Sequence, residues 1–207
     1  VSSALAKSYQ SYGGEILCDA DVDRILVRNG RAVGVALDNG DEYHAPVLVS
    51  NLDPKRTFLD VMDATDLPPD VVKKARNFKI RGSSGKLNIA LDGLPTFRGV
   101  EKGGPLATGE MHLSDSLEVL ERAYDDWKDG TWSKEPYVDM LIPSQIDPTM
   151  APPGKHMMTV FVQYAPPKIK GREWTDEDKA GFERTVIDQI ASYSPDFKDL
   201  ILHCETR

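Results

Sequence analysis

Histidine and cysteine side chains, the usual metal ligands and catalytic partners, are few in this sequence and widely spaced. No histidine has another histidine or a cysteine four residues away, no CxxC pair occurs and no G-x-S-x-G segment marks a nucleophilic serine. The residues concerned are His44, His112, His156, His203, Cys18 and Cys204. We predict no metal site. His112, in a short strand predicted at 110–113, could face a pocket, although a structural or exposed role is more common.

Glycine-rich loops that could hold a phosphate are also lacking. No G-x-G-x-x-G occurs, and the glycines at 82–85 and 103–104 do not lead from a strand into a helix. Such a loop is needed because its backbone N–H groups approach a pyrophosphate at a helix N-terminus. We therefore expect no tight dinucleotide binding by this chain alone.

An apolar run near residue 160 offers candidates for a substrate pocket. Met158 and Tyr164, with Met157 and Phe161 beside them, could line such a pocket, or they could simply form the core. The proline-rich loop at 143–155 could form the rim of the pocket.

Charge and composition exclude several classes of protein. The 207 residues carry a formal net charge of -8, which disfavours nucleic acid as a partner. The two cysteines favour a reducing compartment, either the cytoplasm or the interior of a reducing organelle. Apolar runs are too short for a transmembrane helix, which leaves peripheral membrane contact and oligomeric state open. Because the chain begins at Val1 within a helical pattern, we expect an internal piece of a longer protein.

The hydrophobic pattern predicts an α+β fold in two parts. The first part is a helix at 2–12 followed by a β-meander, with an Asn29-Gly30 hairpin turn and a last strand apolar enough to be buried. Its predicted strands are 15–18, 22–27, 31–37 and 42–50. The second part is a mixed β-sheet with flanking helices, one opened by an Asp115/Glu118 capping pair and the last capped by Thr175. Its predicted strands are 86–91, 110–113, 137–142, 157–164 and 200–204.

Several segments, in this order and spacing, resemble the phytoene desaturase-like FAD-dependent oxidoreductases, which have the amine oxidase-like fold with two dinucleotide-binding domains. The segments are GGEI, GRAVGV, VLVSNLDPKRTFLD, GSSGKLNIALDGLP, LIPSQIDPTMAPPGKH, FVQYAPP and YSPDF. The resemblance implies that residues 1–53 are part of a Rossmann-type FAD-binding domain. It implies that residues 54–207 form a substrate-binding domain.

The resemblance also assigns residues to the flavin. Gly82-Ser83-Ser84-Gly85-Lys86 is similar to a segment whose lysine holds a water against flavin N5, so Lys86 is the candidate catalytic residue. Val22 would contact the adenine through its backbone, and Asn51 and Leu52 would lie near the cofactor. Each assignment has a structural alternative. Lys86 could be a surface lysine, Val22 an ordinary strand residue and Asn51 a turn or cap residue.

The resemblance implies a parent enzyme that dehydrogenates or desaturates a lipophilic small molecule with FAD. Without the nucleotide loop, the chain alone is expected to be inactive. Two alternatives remain open: a non-redox binding protein of the Rab escort or GDP-dissociation-inhibitor type, and a flavin-dependent polyene isomerase.

Overall fold

Two compact units make up the computed structural model, which describes residues 2–207. Unit 1 ends at Ile80, and unit 2 runs from Arg81 to Arg207. The predicted division at residue 53 assigns segments to an FAD-binding and a substrate-binding domain, and this functional division stays a prediction.

Unit 1 is a helix, a β-meander and a set of short helices. The helix α1 (Ser2–Ser11) precedes an antiparallel sheet of β1 (Val22–Arg28), β2 (Arg31–Leu37) and β3 (Glu42–His44), in the order β1-β2-β3. Asn29 and Gly30 both have positive φ, 53° and 72°, as the predicted hairpin turn requires. Helical turns at Arg56–Asp60 and Ala64–Asp66 lead to α2 (Pro69–Asn77).

One strand predicted for unit 1 is wrong, and another is too long. Residues 15–18 form no strand, and the strand predicted at 42–50 ends at His44. The apolar segment after it is not buried either, since Val47 and Val49 are 74% and 91% exposed. A strand forms by pairing its backbone with a neighbour, and residues 45–50 have no ladder partner among residues 2–207. A prediction from apolar composition alone therefore gave too many strand residues in these two segments.

Unit 2 is built on a five-stranded sheet with the strand order β5-β6-β7-β4-β8, and all of its strand pairs are antiparallel. Along the chain its elements are β4 (Ser84–Leu91), α3 (Pro105–Thr108), β5 (Met111–Leu113), α4 (Leu117–Lys128), β6 (Tyr137–Leu141), β7 (His156–Gln163), α5 (Asp176–Tyr193) and β8 (Ile201–Thr206). The predicted α+β class is confirmed.

The core of unit 2 lies on one face of this sheet. Alternate residues of β4, among them Leu87 and Ile89, are 0–1% exposed, and the same alternation runs through β6 and β7. Phe182, Val186 and Ile190 of α5 belong to this core cluster, at the spacing of one helix face. The other face of the sheet, which we call the open face, carries the intervening residues.

Helix ends in unit 2 follow capping rules, with one shift from the prediction. Thr175 opens α5 in a capping box with Asp178, as expected. The helix α4 is capped by Ser116, whose hydroxyl accepts from the Val119 N–H, rather than by Asp115. Asp115 instead accepts a hydrogen bond from the Tyr193 hydroxyl.

No helix in residues 2–207 is long and apolar enough to cross a membrane.

Candidate functional site

A row of four side chains crosses the open face of the unit 2 sheet. The strand register places Lys86 of β4 opposite Phe161 of β7, Phe161 opposite Asp139 of β6, and Asp139 opposite His112 of β5. Directly opposed residues project from the same face, and neighbouring strands lie about 4.8 Å apart. The row, which we call the polar row, thus spans about 14 Å with a half-exposed phenyl ring inside it.

Hydrogen bonding is concentrated at the His112 end of the polar row. The hydroxyl of Tyr137 is hydrogen-bonded to Nδ1 of His112, and the two rings stack at 5.7 Å between centroids. Oδ1 of Asp139 lies 3.7 Å from the same nitrogen. Burial, reinforced by the negative charges of Asp139 and Glu110, raises the pKa of the Tyr137 phenol. The phenol therefore stays protonated at neutral pH, and the Tyr137–His112 pair offers both a donor and an acceptor.

Lys86 forms the other end of the polar row. Its side chain is exposed and makes no ion pair among residues 2–207, although its backbone exchanges two hydrogen bonds with Arg207 at 2.8 and 2.7 Å. Arg207 is itself paired with Glu205, with 2.6 Å between Nη2 and Oε1. Lys86 therefore presents an unneutralised positive charge on the open face.

The two other residues predicted for the substrate pocket lie outside the polar row. Met158 is fully buried in the core on the opposite face of the sheet. Tyr164 follows β7 and packs edge-on against Tyr124 of α4, with 5.4 Å between ring centroids, beside Trp127. The placement of Met158 is that of a core residue, the alternative that the sequence left open.

Unit 1 brings together the three residues predicted to bind the cofactor. Val22, Asn51 and Leu52 line one groove of about 860 Å³, with Ile25 and Val49 among its other walls. Ser50 and Thr57, which also line it, share a hydrogen bond of 2.8 Å. The groove is thus mostly apolar, and its lining includes the backbone of residues 48–51.

This groove suits one end of the FAD that the resemblance implies. Apolar walls such as Val22, Ile25 and Leu52 can hold an adenine ring against exposed backbone. The lining includes the Asp21 carboxylate and no lysine or arginine, so it offers nothing to neutralise a pyrophosphate. The residues present therefore fit the adenine end of the cofactor and not its diphosphate.

The sequence did not point to Tyr137, Asp139 or Glu110 as site residues. The available signal was an acidic residue between two apolar ones in a predicted strand, Val138-Asp139-Met140, which places a carboxylate on the open face. Ligand atoms of Glu110, His112 and Asp139 lie within 4.8 Å of one another. Such a set could hold a divalent cation, but exposed groups of this kind are common without one, and we assign no metal.

Comparison with known proteins finds relatives of similar sequence. No family profile matches the chain. The chain is 34% identical over 98% of its length to the pyridine nucleotide-disulfide oxidoreductase domain-containing protein 2 of Mus musculus, of which it covers 36%. It is 31% identical over 93% of its length to the chloroplastic prolycopene isomerase of Daucus carota, of which it covers 28%. The chain thus spans about a third of the length of these curated relatives.

The fold is also found in a solved structure. A crystal structure of an oxidoreductase from Methanosarcina mazei matches 99% of this chain and 40% of its own, with a TM-score of 0.61 and 19% identity. At that identity the match supports the fold alone. By sequence, however, the chain is a relative of named oxidoreductase-domain proteins and prolycopene isomerases, and its resemblance to the phytoene desaturase-like oxidoreductases is confirmed.

Proposed function

We propose that this chain is part of an FAD-dependent oxidoreductase that acts on a lipophilic small molecule. In this proposal unit 2 supplies the substrate-binding sheet, and residues 1–53 contribute to the FAD-binding domain. The observation that carries the proposal is the polar row of Lys86, Phe161, Asp139 and His112 on the open face of unit 2. An aromatic surface between hydrogen-bonding groups is suited to orienting an organic substrate.

Lys86 is the residue that we propose to act beside the flavin. An unpaired ammonium can position a water and stabilise negative charge that develops nearby. The flavin would supply the redox chemistry when bound, and the protein would position the reacting groups. Lys86 lies on the open face of β4, a strand that is hydrogen-bonded to a neighbour on each side, which suits a group that must be held in place.

The test of Lys86 is a comparison of two lysine variants in the full-length protein. We expect Lys86→Met to slow flavin reduction or reoxidation at least about tenfold while flavin content is retained. Lys73→Met, at an exposed position of α2 in unit 1, is the matched control. Unchanged rates for both half-reactions in Lys86→Met would remove Lys86 from the proposed site.

The groove of unit 1 supports a limited part in cofactor binding. We propose that Val22, Asn51 and Leu52 contact the adenine end of FAD, and that the 207-residue chain alone is inactive because it cannot bind the diphosphate. The visible spectrum tests both statements. We expect flavin absorbance in the purified full-length protein and none in the 207-residue chain after incubation with FAD and gel filtration. A colourless full-length protein would overturn the oxidoreductase proposal.

A flavin-dependent isomerase is the second candidate. The observation in its favour is the similarity to proteins named prolycopene isomerase, at 31% identity in Daucus carota and 30% in an Oncidium hybrid cultivar. Stoichiometry separates the two candidates. A dehydrogenase transfers electrons from each substrate molecule, whereas an isomerase leaves the redox state of substrate and flavin unchanged after turnover.

A further inference from the structure

The open face of unit 2 is more polar than a site for a hydrocarbon should be. Around the phenyl ring of Phe161 it carries Lys86, Asp139, His112, Tyr137, Asn88 and Thr159. We propose that the ligand of this face is a lipophilic molecule that carries an uncharged oxygen group, a hydroxyl or a carbonyl, bound by the Tyr137–His112 pair. The inference rests on the proposed function, since it takes the open face to be the substrate-binding surface.

The Tyr137–His112 pair has the hydrogen-bonding capacity that such a group needs. Nδ1 of His112 is occupied by the Tyr137 hydroxyl, which leaves Nε2 free to bond to a ligand. When Tyr137 donates to Nδ1, Nε2 carries a hydrogen and donates, while the phenolic oxygen keeps a lone pair and accepts. A hydroxyl matches both positions, and a carbonyl matches the donor.

The negative charges around the Tyr137–His112 pair disfavour a ligand that carries a carboxylate. Oδ1 of Asp139 lies 3.7 Å from Nδ1 of His112, its side chain is only 19% exposed, and it has no lysine or arginine partner in the described chain. A ligand atom of Glu110 lies within 4.8 Å of those of His112 and Asp139. An anionic head group placed here would meet two carboxylates, whereas a neutral oxygen meets none of that repulsion.

A pure hydrocarbon is disfavoured for the opposite reason. Laying an apolar chain across the polar row would remove water from the Tyr137–His112 pair and from Asp139 without replacing its hydrogen bonds. A site built to bind a hydroxyl discriminates strongly against the analogue without it, because its polar groups are left unpaired. A preference of at least about tenfold for the oxygen-bearing ligand is therefore expected.

The experiment compares three polyene probes that share one body and differ in one group. Diphenylhexatriene, its hydroxymethyl derivative and its carboxy derivative fluoresce on transfer from water to a binding site. Each is titrated into the full-length protein, and flavin content is measured on the same sample. We expect the hydroxymethyl probe to bind at least about tenfold more tightly than the hydrocarbon and more tightly than the carboxy probe.

Two variants link that preference to the residues. Tyr137→Phe and His112→Phe should each reduce the preference for the hydroxymethyl probe severalfold while leaving the affinity for diphenylhexatriene unchanged. Tyr193→Phe is the matched control, because the Tyr193 hydroxyl donates to Asp115 and Tyr193 packs against the core of unit 2. It should preserve the preference.

The other possible outcomes of the titration each contradict either the inferred ligand class or the proposed function. Equal or tighter binding of the hydrocarbon, tightest binding of the carboxy probe, or no binding of any probe would refute the inference. The flavin measurement separates this from the proposed function. A flavin-free protein that keeps the head-group preference would refute the oxidoreductase proposal and support the ligand class. A flavin-loaded protein without the preference would refute the ligand class and support the oxidoreductase proposal.

Discussion

The two units of this chain use their apolar residues in opposite ways. Unit 2 buries a core cluster that joins four strands to α5, with Leu87, Val160 and Val186 at 0% exposure. Among residues 2–80, the buried hydrophobic side chains are Ala36, Leu37 and Ala75, while α1 buries none of its residues. Because hydrophobic burial is the main favourable term in folding, we expect unit 2 to hold most of the chain's stability.

This contrast bears on the proposed function. The apolar residues of unit 1 occur in a helix and in a strand-like segment, yet Leu5 and Val49 are 66% and 91% exposed. Such a pattern is typical of elements that pack against further structure. It accords with the proposal that residues 1–53 belong to a larger FAD-binding domain.

The largest expected effect tests the contrast directly with two aromatic residues. Phe182 is 2% exposed and packs edge-on against Trp174, whereas Tyr12 of unit 1 is 89% exposed. We expect Phe182→Ala to lower the free energy of unfolding by about 3–5 kcal/mol, because it leaves a cavity in the core. Tyr12→Ala should change it by less than about 0.5 kcal/mol. Urea unfolding followed by far-ultraviolet circular dichroism, which reports on both units, measures both changes, and effects of similar size would contradict the comparison.

A second prediction uses two glycines of one segment. A Cβ added to Gly85 would lie 2.6 Å from the Phe182 ring, whereas one added to Gly82 would meet nothing closer than 3.7 Å. The buried ring cannot move aside, so Gly85→Ala should cost about 1–3 kcal/mol of unfolding free energy. Gly82→Ala is the control and should be close to neutral. If Gly85→Ala is as stable as the wild type, the core of unit 2 is less tightly packed around Phe182 than the comparison of the two units assumes.

The helix cap of α5 provides a smaller effect in the same unit. Thr175 accepts from the Asp178 N–H, and Asp178 in return accepts from the Thr175 N–H. Thr175→Ala should lower the free energy of unfolding by about 1 kcal/mol, whereas Thr175→Ser, which keeps the hydroxyl, should change it little. The melting temperature of the two variants, read by circular dichroism, distinguishes them. Equal losses would show that the hydroxyl is not the stabilising group.

Acid should weaken unit 2 through the same cap. Arg172, followed by Thr175, holds the pKa of Asp178 well below its usual range. A carboxyl whose pKa is depressed on folding adds stability above its unfolded pKa, near 3.9, and that stability is lost as pH falls below it. We expect Asp178→Asn to reduce the loss of stability between about pH 4 and pH 2. Arg172→Met should act in the same direction, and a variant with the wild-type acid dependence would contradict the assignment.

The strands of unit 2 could be predicted because their burial follows a simple period. In β4 and β7 alternate residues are buried, so the apolar pattern located both strands to within two residues. The failure at residues 15–18 and 45–50 has the opposite cause. Propensity there favoured a strand, but a strand also needs a neighbouring backbone, which sequence does not reveal.

The candidate site was predicted only in part for a similar reason. Lys86 and His112 were named from their own segments, but their membership of one row depends on the order β5-β6-β7-β4-β8 and its register. Tyr137 and Asp139 were missed because an isolated polar residue in a strand is usually a solvated one. Pairing across strands, rather than any local motif, makes these residues neighbours.

The position of β4 has a consequence for how the protein is made. It is the first strand of unit 2 to leave the ribosome, yet it pairs with β7 and β8, which are the last two. During synthesis the apolar side chains of β4 therefore stay exposed until almost the whole unit has been translated, because β7 and β8 are made last. These side chains are Leu87, Ile89 and Leu91. Long-range pairing of this kind slows folding and exposes apolar strands to aggregation. We accordingly expect the yield of native protein in a cell-free translation to depend on chaperones that bind this nascent segment.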